Sequence, residues 1–210
     1  SQLGLTGLNP DDYSAEPAMA KELMAEAGYE DGAGLTLTLG HNVNEGHARI
    51  AQAIQAMWTA AFPQIQVDIQ TQEWGVYLDS INNDAPMDAK PDVFRLGWCM
   101  DYPHANNWVH EVFNTEAGAN RLMLSPDDEP IGDLVSEYNS LTVAAQTASP
   151  EEQVEIYKQA EQLLVDDMAA MIPIYYYTSV RAVKPWLDRI TGLPSNPYVQ
   201  YWTLDTEAQQ

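Results

Sequence analysis

Two oppositely charged residues, Arg95 and Asp101, stand six positions apart at the end of an apolar segment. An arginine is unusual there, because the chain has only 9 Lys and Arg residues against 31 Asp and Glu residues. Burying an unpaired guanidinium group costs several kcal/mol, so Arg95 needs an anion or water as its partner. A cation and an anion separated by an extended strand match the two charged ends of a zwitterionic ligand, and a short peptide is such a ligand.

The residues between these charges could also bind a peptide through their main chain. We expect hydrogen bonds from Gly97 and Cys99 to an extended ligand, a contact that reads no side chain. A second interpretation needs no ligand at all. In it Arg95 pairs with a carboxylate of the protein, and Asp101 caps the next turn. The spacing alone leaves both interpretations open.

The elements that must position these residues follow a strand–helix pattern. Alternating apolar residues predict strands at 35–39 and 65–69, and the apolar run Val93–Trp98 predicts a buried strand. Helices are predicted between them, one capped by Asn44 and ending before Pro63, the other over Trp74–Ile81. This order favours a sheet with parallel pairs, in which ligands bind outside the carboxyl ends of the strands.

The second half of the sequence is predicted to be mainly helical. Helices are expected at Trp108–Phe113 and Ile131–Leu141, and a third begins at the capping-box sequence Ser149-Pro150-Glu151-Glu152. Strands are expected at Ile172–Val180 and Tyr198–Leu204. No repeat, low-complexity tract or linker interrupts the chain. We therefore predict one α/β domain over residues 1–210.

Composition excludes several classes of function. The formal net charge is −22, which argues against binding nucleic acid through a basic face or docking on anionic lipid. No apolar stretch is long enough to span a membrane. The first residues, Ser1–Gly4, do not resemble a signal peptide. We therefore expect either a cytoplasmic chain or a mature or truncated piece of an exported protein.

The sequence lacks the patterns of common catalytic and cofactor sites. It has no phosphate-binding glycine loop, no dinucleotide fingerprint and no nucleophile elbow. With one cysteine and no paired histidines, a metal site has little support, although Glu45, Asp101 and Glu111 lie near histidines in the sequence. We predict neither enzymatic activity nor a cofactor.

An ordered set of segments resembles the C-terminal lobe of the bacterial ABC-transporter solute-binding proteins of family 5, and among these the oligopeptide-binding members most closely. The matching segments are Ala20–Tyr29, Ile50–Trp58, Gln72–Trp74 with Tyr77 and Leu78, Gly97–Pro103, Ile156–Gln162, Ile172–Tyr177 and Arg181–Trp186. The resemblance implies one lobe of a type II periplasmic-binding-protein-like fold, with a mixed sheet flanked by helices. It implies a protein without its N-terminal lobe and export signal.

The resemblance also implies roles for individual residues. Asp101 would hold the α-ammonium group of a peptide, and Arg95 would help hold the carboxylate of short peptides. His47, near the start of a helix, would assist at that carboxylate, where the helix dipole also favours an anion. Trp98 would line a side-chain pocket, although a tryptophan in such a strand is also typical of a core. The implied partners are a peptide and the membrane permease of an ABC importer, and the implied location is the periplasm or a cell-surface lipoprotein.

Two further expectations remain open at this stage. In an exported protein a lone cysteine suggests a partner elsewhere, so Cys99 is predicted to be a largely buried free thiol in this chain, with its partner in the absent lobe. Other cargoes of the same family, namely nickel, haem or sugar, are the first alternative. A hydrolase that uses acids with His47 or His104, and a plain interaction domain, are alternatives of different classes.

Overall fold

A three-stranded parallel sheet forms the first half of the molecule. The computed structural model describes residues 17–178, 182–188 and 202–208. The strands lie in the order β2-β1-β3, and both neighbouring pairs are parallel, with Leu39 opposite Ile69 on one side and Val93 on the other. Their bounds are β1 Thr36–Asn42, β2 Gln66–Gln72 and β3 Val93–Phe94. The parallel arrangement predicted from the strand–helix alternation is confirmed.

Three helices accompany this sheet: α1 Pro17–Glu26, α2 Glu45–Ala61 and α3 Trp74–Ser80. The predicted cap of α2 is confirmed, because the Asn44 side chain accepts hydrogen bonds from the N–H groups of Gly46 and His47. The sheet and α2 share a buried core of Leu39, Ala51, Phe62, Ile65 and Val67. This packing fixes the N-terminus of α2 near the carboxyl end of β1.

The second half is a cluster of helices: α4 Asn106–Val109, α5 Gly132–Ala145 and α6 Pro150–Gln162, the last continued by a π-helical turn at Leu163–Asp167. The predicted capping box of α6 is present in full, with Ser149 and Glu152 satisfying each other's backbone N–H groups. The core of this cluster consists of Val109, Leu124, Val135, Tyr138, Ala145, Tyr157, Ala160, Leu163, Leu164 and Met168.

Several predicted bounds need correction. The strand expected at Val93–Trp98 ends at Phe94, because the paired residues of β1 and β3 end there and, among the described residues that follow, only the N–H of Arg95 still bonds to β1. The strand expected at Ile172–Val180 does not form in its described part, residues 172–178. The helix expected at Trp108–Phe113 lies instead at Asn106–Val109.

A short antiparallel ribbon completes the described fold. Strand β4 covers Leu187–Asp188 and pairs with β5, Thr203–Leu204, which is the described end of the strand predicted at Tyr198–Leu204. Residues 198–201 of that prediction lie outside the described residues. Among the helices described, none is long and apolar enough to cross a lipid bilayer.

Candidate functional site

The backbone of Arg95 is fixed to the sheet immediately after β3. Its N–H donates to the carbonyl oxygen of Gly40 in β1 at 2.9 Å. The hydroxyl of Tyr77, a fully buried side chain of α3, donates to the carbonyl of Arg95 at 2.7 Å and lies 3.1 Å from that of Gly40. Strand pairing and one buried phenol therefore hold Arg95 at the carboxyl edge of the sheet.

The guanidinium group of Arg95 is held by two tyrosines. Its Nη2 atom donates to the hydroxyl of Tyr175 at 3.0 Å and to that of Tyr177, and its Cζ lies 5.7 Å from the centre of the Tyr177 ring. Both phenols are neutral acceptors, so they orient the group without cancelling its charge. In residues 17–178, 182–188 and 202–208 the only ion pair joins Lys158 to Glu155. Within that part of the chain, Arg95 thus has no carboxylate partner.

The phenols respond to the neighbouring charge. Burial works to raise the pKa of Tyr177, but its hydrogen bonds with Tyr175 and Arg95 outweigh that effect and leave the pKa below its usual range. The pKa of Tyr175 is raised, first by its hydrogen bond with Tyr177 and then by burial. The charge of Arg95 itself lowers the pKa of Tyr177 and opposes the rise at Tyr175.

His47 lies beside this cation, at the third residue of α2. Its Nδ1 atom lies 2.7 Å from Oδ1 of Asn42, an arrangement that suits a proton on Nδ1 and leaves Nε2 for a ligand. Burial, and then the nearby charge of Arg95, lower the pKa of His47 below 6.5. The imidazole is therefore neutral at pH 7, and a bound carboxylate would favour its protonated form.

A second group of side chains forms around Asp101. The Asp101 side chain is exposed, and its Oδ2 lies 3.3 Å from the amide nitrogen of Asn107. Asp101 does not cap α4, whose N-terminus has no side-chain cap. Its second carboxylate oxygen, Oδ1, has no partner within the described part of the chain. The carboxylate is therefore available to a cation from solvent.

Trp98 belongs to the same group. Its indole Nε1 donates to Oδ1 of Asn107 at 3.0 Å, and the side chain is 38% exposed. At this exposure Trp98 is not a fully shielded core residue, and its role as a pocket wall stays a prediction. Trp98 and Asp101 therefore share Asn107 as a hydrogen-bond partner.

The main chain between the two charges is exposed. Gly97 and Cys99 are both solvent-accessible, and in the described residues no hydrogen bond occupies their N–H or C=O groups. A side chain at Gly97 would meet Tyr177, because an added Cβ would lie 2.7 Å from that hydroxyl oxygen. Glycine thus permits Tyr177 to approach the segment closely.

The predicted burial of Cys99 is wrong. Its thiol is free and exposed, because the strand ends at Phe94 and the segment that follows runs along the surface. The predicted disulfide partner in another part of a longer protein remains a prediction.

Three contributing residues were missed or misread in the sequence: Asn107, Tyr175 and Tyr177. The tyrosines lie within the strand predicted at Ile172–Val180, and their spacing of two places both side chains on one side of an extended chain, a signal that could have indicated a shared partner. Asn107 is fully buried on α4, and no feature of the sequence distinguishes it from other asparagines. No group of three or more His, Cys, Asp or Glu side chains in the described part of the chain is arranged to hold a metal ion.

Comparison with known proteins identifies the family. The profile of the bacterial extracellular solute-binding proteins, family 5 Middle, matches residues 3–120, more than half of the chain. The chain belongs to this family. Its solved structural neighbours are type II periplasmic binding proteins, so the predicted fold class is confirmed for this family 5 chain.

Individual relatives agree with this assignment. The periplasmic oligopeptide-binding protein OppA of Salmonella typhimurium is 33% identical over 174 residues, covering 82% of this chain and 29% of its own length. The Escherichia coli murein tripeptide binding protein MppA matches with a TM-score of 0.67 and 30% identity, over 87% of this chain and 32% of that structure. Haemophilus influenzae OppA, solved with the peptide RPPGFSPFR, matches with a TM-score of 0.66 and 28% identity, over 82% and 31%. The family 5 chain thus spans about 30% of the length of the curated relatives it matches.

Proposed function

We propose that this chain is one lobe of the substrate-binding component of an ABC importer for oligopeptides. One observation carries the proposal. A positive and a negative side chain, neither of them neutralised by an ion pair in the described residues, stand at opposite ends of one exposed main-chain segment. The guanidinium of Arg95 has only neutral partners in the described residues, and the carboxylate of Asp101 is exposed. The names of relatives, which include periplasmic oligopeptide-binding proteins, support the same class of ligand.

Each end of a peptide would meet a complementary group. Asp101 would accept hydrogen bonds from the α-ammonium group, while Arg95, assisted by His47, would bind the carboxylate of a short peptide. Hydrogen bonds that involve a charged group contribute about 1.5–3 kcal/mol each once water is excluded. Gly97 and Cys99 would add main-chain hydrogen bonds, and Trp98 would cover one side chain of the ligand.

The proposed protein binds and does not catalyse. We infer that a second lobe, outside this chain, closes over the ligand, and that the closed form delivers it to a membrane permease. Ligand contacts with both lobes would bias such a hinge toward closure. The periplasmic relatives support an exported protein, either free or held at the surface by a lipid anchor.

Calorimetry with this chain and with the full-length protein tests the proposal. Because the isolated chain would lack every contact from the second lobe, it should bind trialanine at least a hundredfold more weakly, a difference of about 2.7 kcal/mol. Tight binding by the isolated chain would refute the two-lobe mechanism. Tight binding of nickel, haem or a sugar by the full-length protein, with none of trialanine, would refute the peptide assignment.

A further inference from the structure

The exposed segment that carries Trp98 and Asp101 has one buried polar anchor, Asn107. This side chain is 0% exposed, whereas Trp98 and Asp101 both reach solvent. The segment lies outside any strand or helix, so strand or helix hydrogen bonding does not fix its side chains. Asn107 contacts both of these residues.

Asn107 uses its full hydrogen-bonding capacity on this task. Its Oδ1 accepts from the Trp98 indole at 3.0 Å and from the Asp101 backbone N–H at 2.9 Å. Its Nδ2 lies 3.3 Å from Oδ2 of Asp101 and donates to Oε2 of Glu111 at 2.6 Å. A primary amide offers two donors and two acceptor positions, and all four are occupied here.

The chemistry of the partners fixes the orientation of this amide. Two N–H donors face one side of it and two carboxylates face the other. Reversing the amide would turn its NH₂ toward the donors and its oxygen toward the carboxylates, so every contact would become repulsive. The four contacts therefore specify one arrangement.

Asn107 is itself anchored in the helical core. Val109, two residues further along α4, is buried, and the hydroxyl of Tyr138 donates to the carbonyl of Val109 at 2.5 Å. The hydroxyl of Tyr157 donates to Oδ1 of Asn106 at 3.2 Å. Glu111 is held in turn by the hydroxyl of Tyr102 at 2.5 Å. A chain of contacts thus runs from the core of the helical cluster to the exposed carboxylate.

We propose that Asn107 is the positioning residue that fixes the Asp101 carboxylate and the Trp98 ring together for the amino end of the ligand. This inference rests on the proposed function and deepens it. Asn107 does not touch the ligand. It acts by preorganising two groups that do, which removes part of the entropy cost of ordering them on binding.

The test uses the full-length protein, with trialanine and N-acetyl-trialanine as probes. Wild-type protein should prefer the free amine. Asn107→Ala should weaken trialanine binding at least tenfold and leave the weaker binding of the acetylated peptide almost unchanged. In the background of Asp101→Ala, the same substitution should change trialanine binding much less, because the two residues act through one contact.

Asn114→Ala is the matched control. Asn114 is also a buried asparagine, 1% exposed, and its Nδ2 donates to Thr142 Oγ1 at 2.8 Å, away from the exposed segment. It should lower the unfolding midpoint without changing the preference for the free amine. If Asn107→Ala behaves like this control, the inference is overturned.

A second variant and a spectroscopic signal distinguish loss of the positioning contacts from loss of the fold. Asn107→Asp keeps the shape and both accepted hydrogen bonds but sets an oxygen against Asp101 and Glu111. The preference of this variant for the free amine should fall at pH 7.5. It should partly return near pH 5, where a proton shared among the three carboxylates restores a hydrogen-bond donor at position 107. In both variants the Trp98 indole N–H resonance should shift. The inference is overturned if Asn107→Asp leaves both the Trp98 resonance and the preference for the free amine unchanged. If the wild-type protein does not distinguish the two peptides, the proposed function is overturned as well.

Discussion

The cationic and anionic ends of the candidate site are supported in different ways. Arg95 is fixed by the parallel sheet and held by phenols that come from about 80 residues further along the chain. Asp101 is held by one amide six residues away, on a helix of the second core. The position of Arg95 therefore depends on contacts between residues far apart in the sequence. The position of Asp101 depends on a contact between residues close in the sequence, and that contact is attached to a separate core.

Under the proposed function, this difference assigns the two ends of a peptide to two separate supports. The neutral partners of Arg95 leave its charge for a carboxylate, whereas Asp101 shares one oxygen with Asn107 and keeps the other for an ammonium group. We therefore expect substitutions at the anionic end to act on the amino end of a peptide alone. Substitutions at the cationic end should act on its carboxylate.

The largest effect should come from Asp101→Ala. Removing this carboxylate should weaken trialanine binding by about 10- to 150-fold, because a hydrogen bond to a charged group contributes about 1.5–3 kcal/mol. Titration calorimetry on the full-length protein measures it. Asp68→Ala, an exposed acid of β2, is the control. If the two substitutions changed the affinity for trialanine equally, Asp101 would not be part of the binding site.

Arg95→Gln should weaken trialanine binding by roughly tenfold, because the amide keeps hydrogen-bonding capacity and His47 can still contribute a charge. Binding of the C-terminally amidated peptide should change little. The exposed Arg49 of α2 offers a matched change, Arg49→Gln, that should leave both affinities intact. A loss that is as large for the amidated peptide as for the free acid would show that Arg95 does not read the carboxylate.

Gly97→Ala tests how the cationic end is held. The added methyl group would lie 2.7 Å from the Tyr177 hydroxyl and displace that ring from the guanidinium. We expect a loss of roughly threefold in affinity for trialanine, since Tyr175 still holds Arg95. The same substitution in a Tyr177→Phe protein should cost less, as measured by calorimetry. Equal costs in both backgrounds would mean that Tyr177 does not mediate the effect.

The smallest effect concerns stability in the helical half. Burial raises the pKa of Glu161, at the end of α6, to about 7. The ionised form of Glu161 therefore destabilises the fold at pH values above the usual pKa range of a carboxyl group. Glu161→Gln should raise the free energy of unfolding by about 1 kcal/mol at pH 8, and this gain should shrink as the pH falls through 7 and vanish below about 4.5. Urea denaturation at both pH values measures this.

A matched control for that measurement is Glu155→Gln. Glu155 is exposed and pairs with Lys158 at 2.8 Å, so its removal should change stability little at either pH. A gain at Glu161 that is the same at pH 4 and pH 8 would contradict the account, because it would not come from ionisation.

Local patterns made much of the fold predictable. Periodicity located the helices and the parallel strands, and cap residues such as Asn44 and Ser149 fixed two helix starts, because these features depend on residues close in sequence. The strand after Val93 was predicted too long. Apolar composition indicated its start, but its end depends on where the partner strand stops pairing.

The two charged residues of the candidate site stand out in the sequence, whereas the side chains that hold them do not. Arg95 and Asp101 stand out by charge and spacing in the sequence itself. Tyr177 and Asn107 reach them through tertiary contacts, and a buried asparagine has no signature in a single sequence. The same reason explains the error at Cys99, whose exposure depends on the path of the chain after β3.

The central claim is that the two termini of a peptide are held separately by these two ends. Calorimetry of wild-type full-length protein with four forms of trialanine tests it: free, N-acetylated, C-amidated and blocked at both ends. We predict that each block weakens binding by at least tenfold, and that the two penalties add in the doubly blocked peptide. Binding of the doubly blocked peptide as tight as that of the free one would contradict the account.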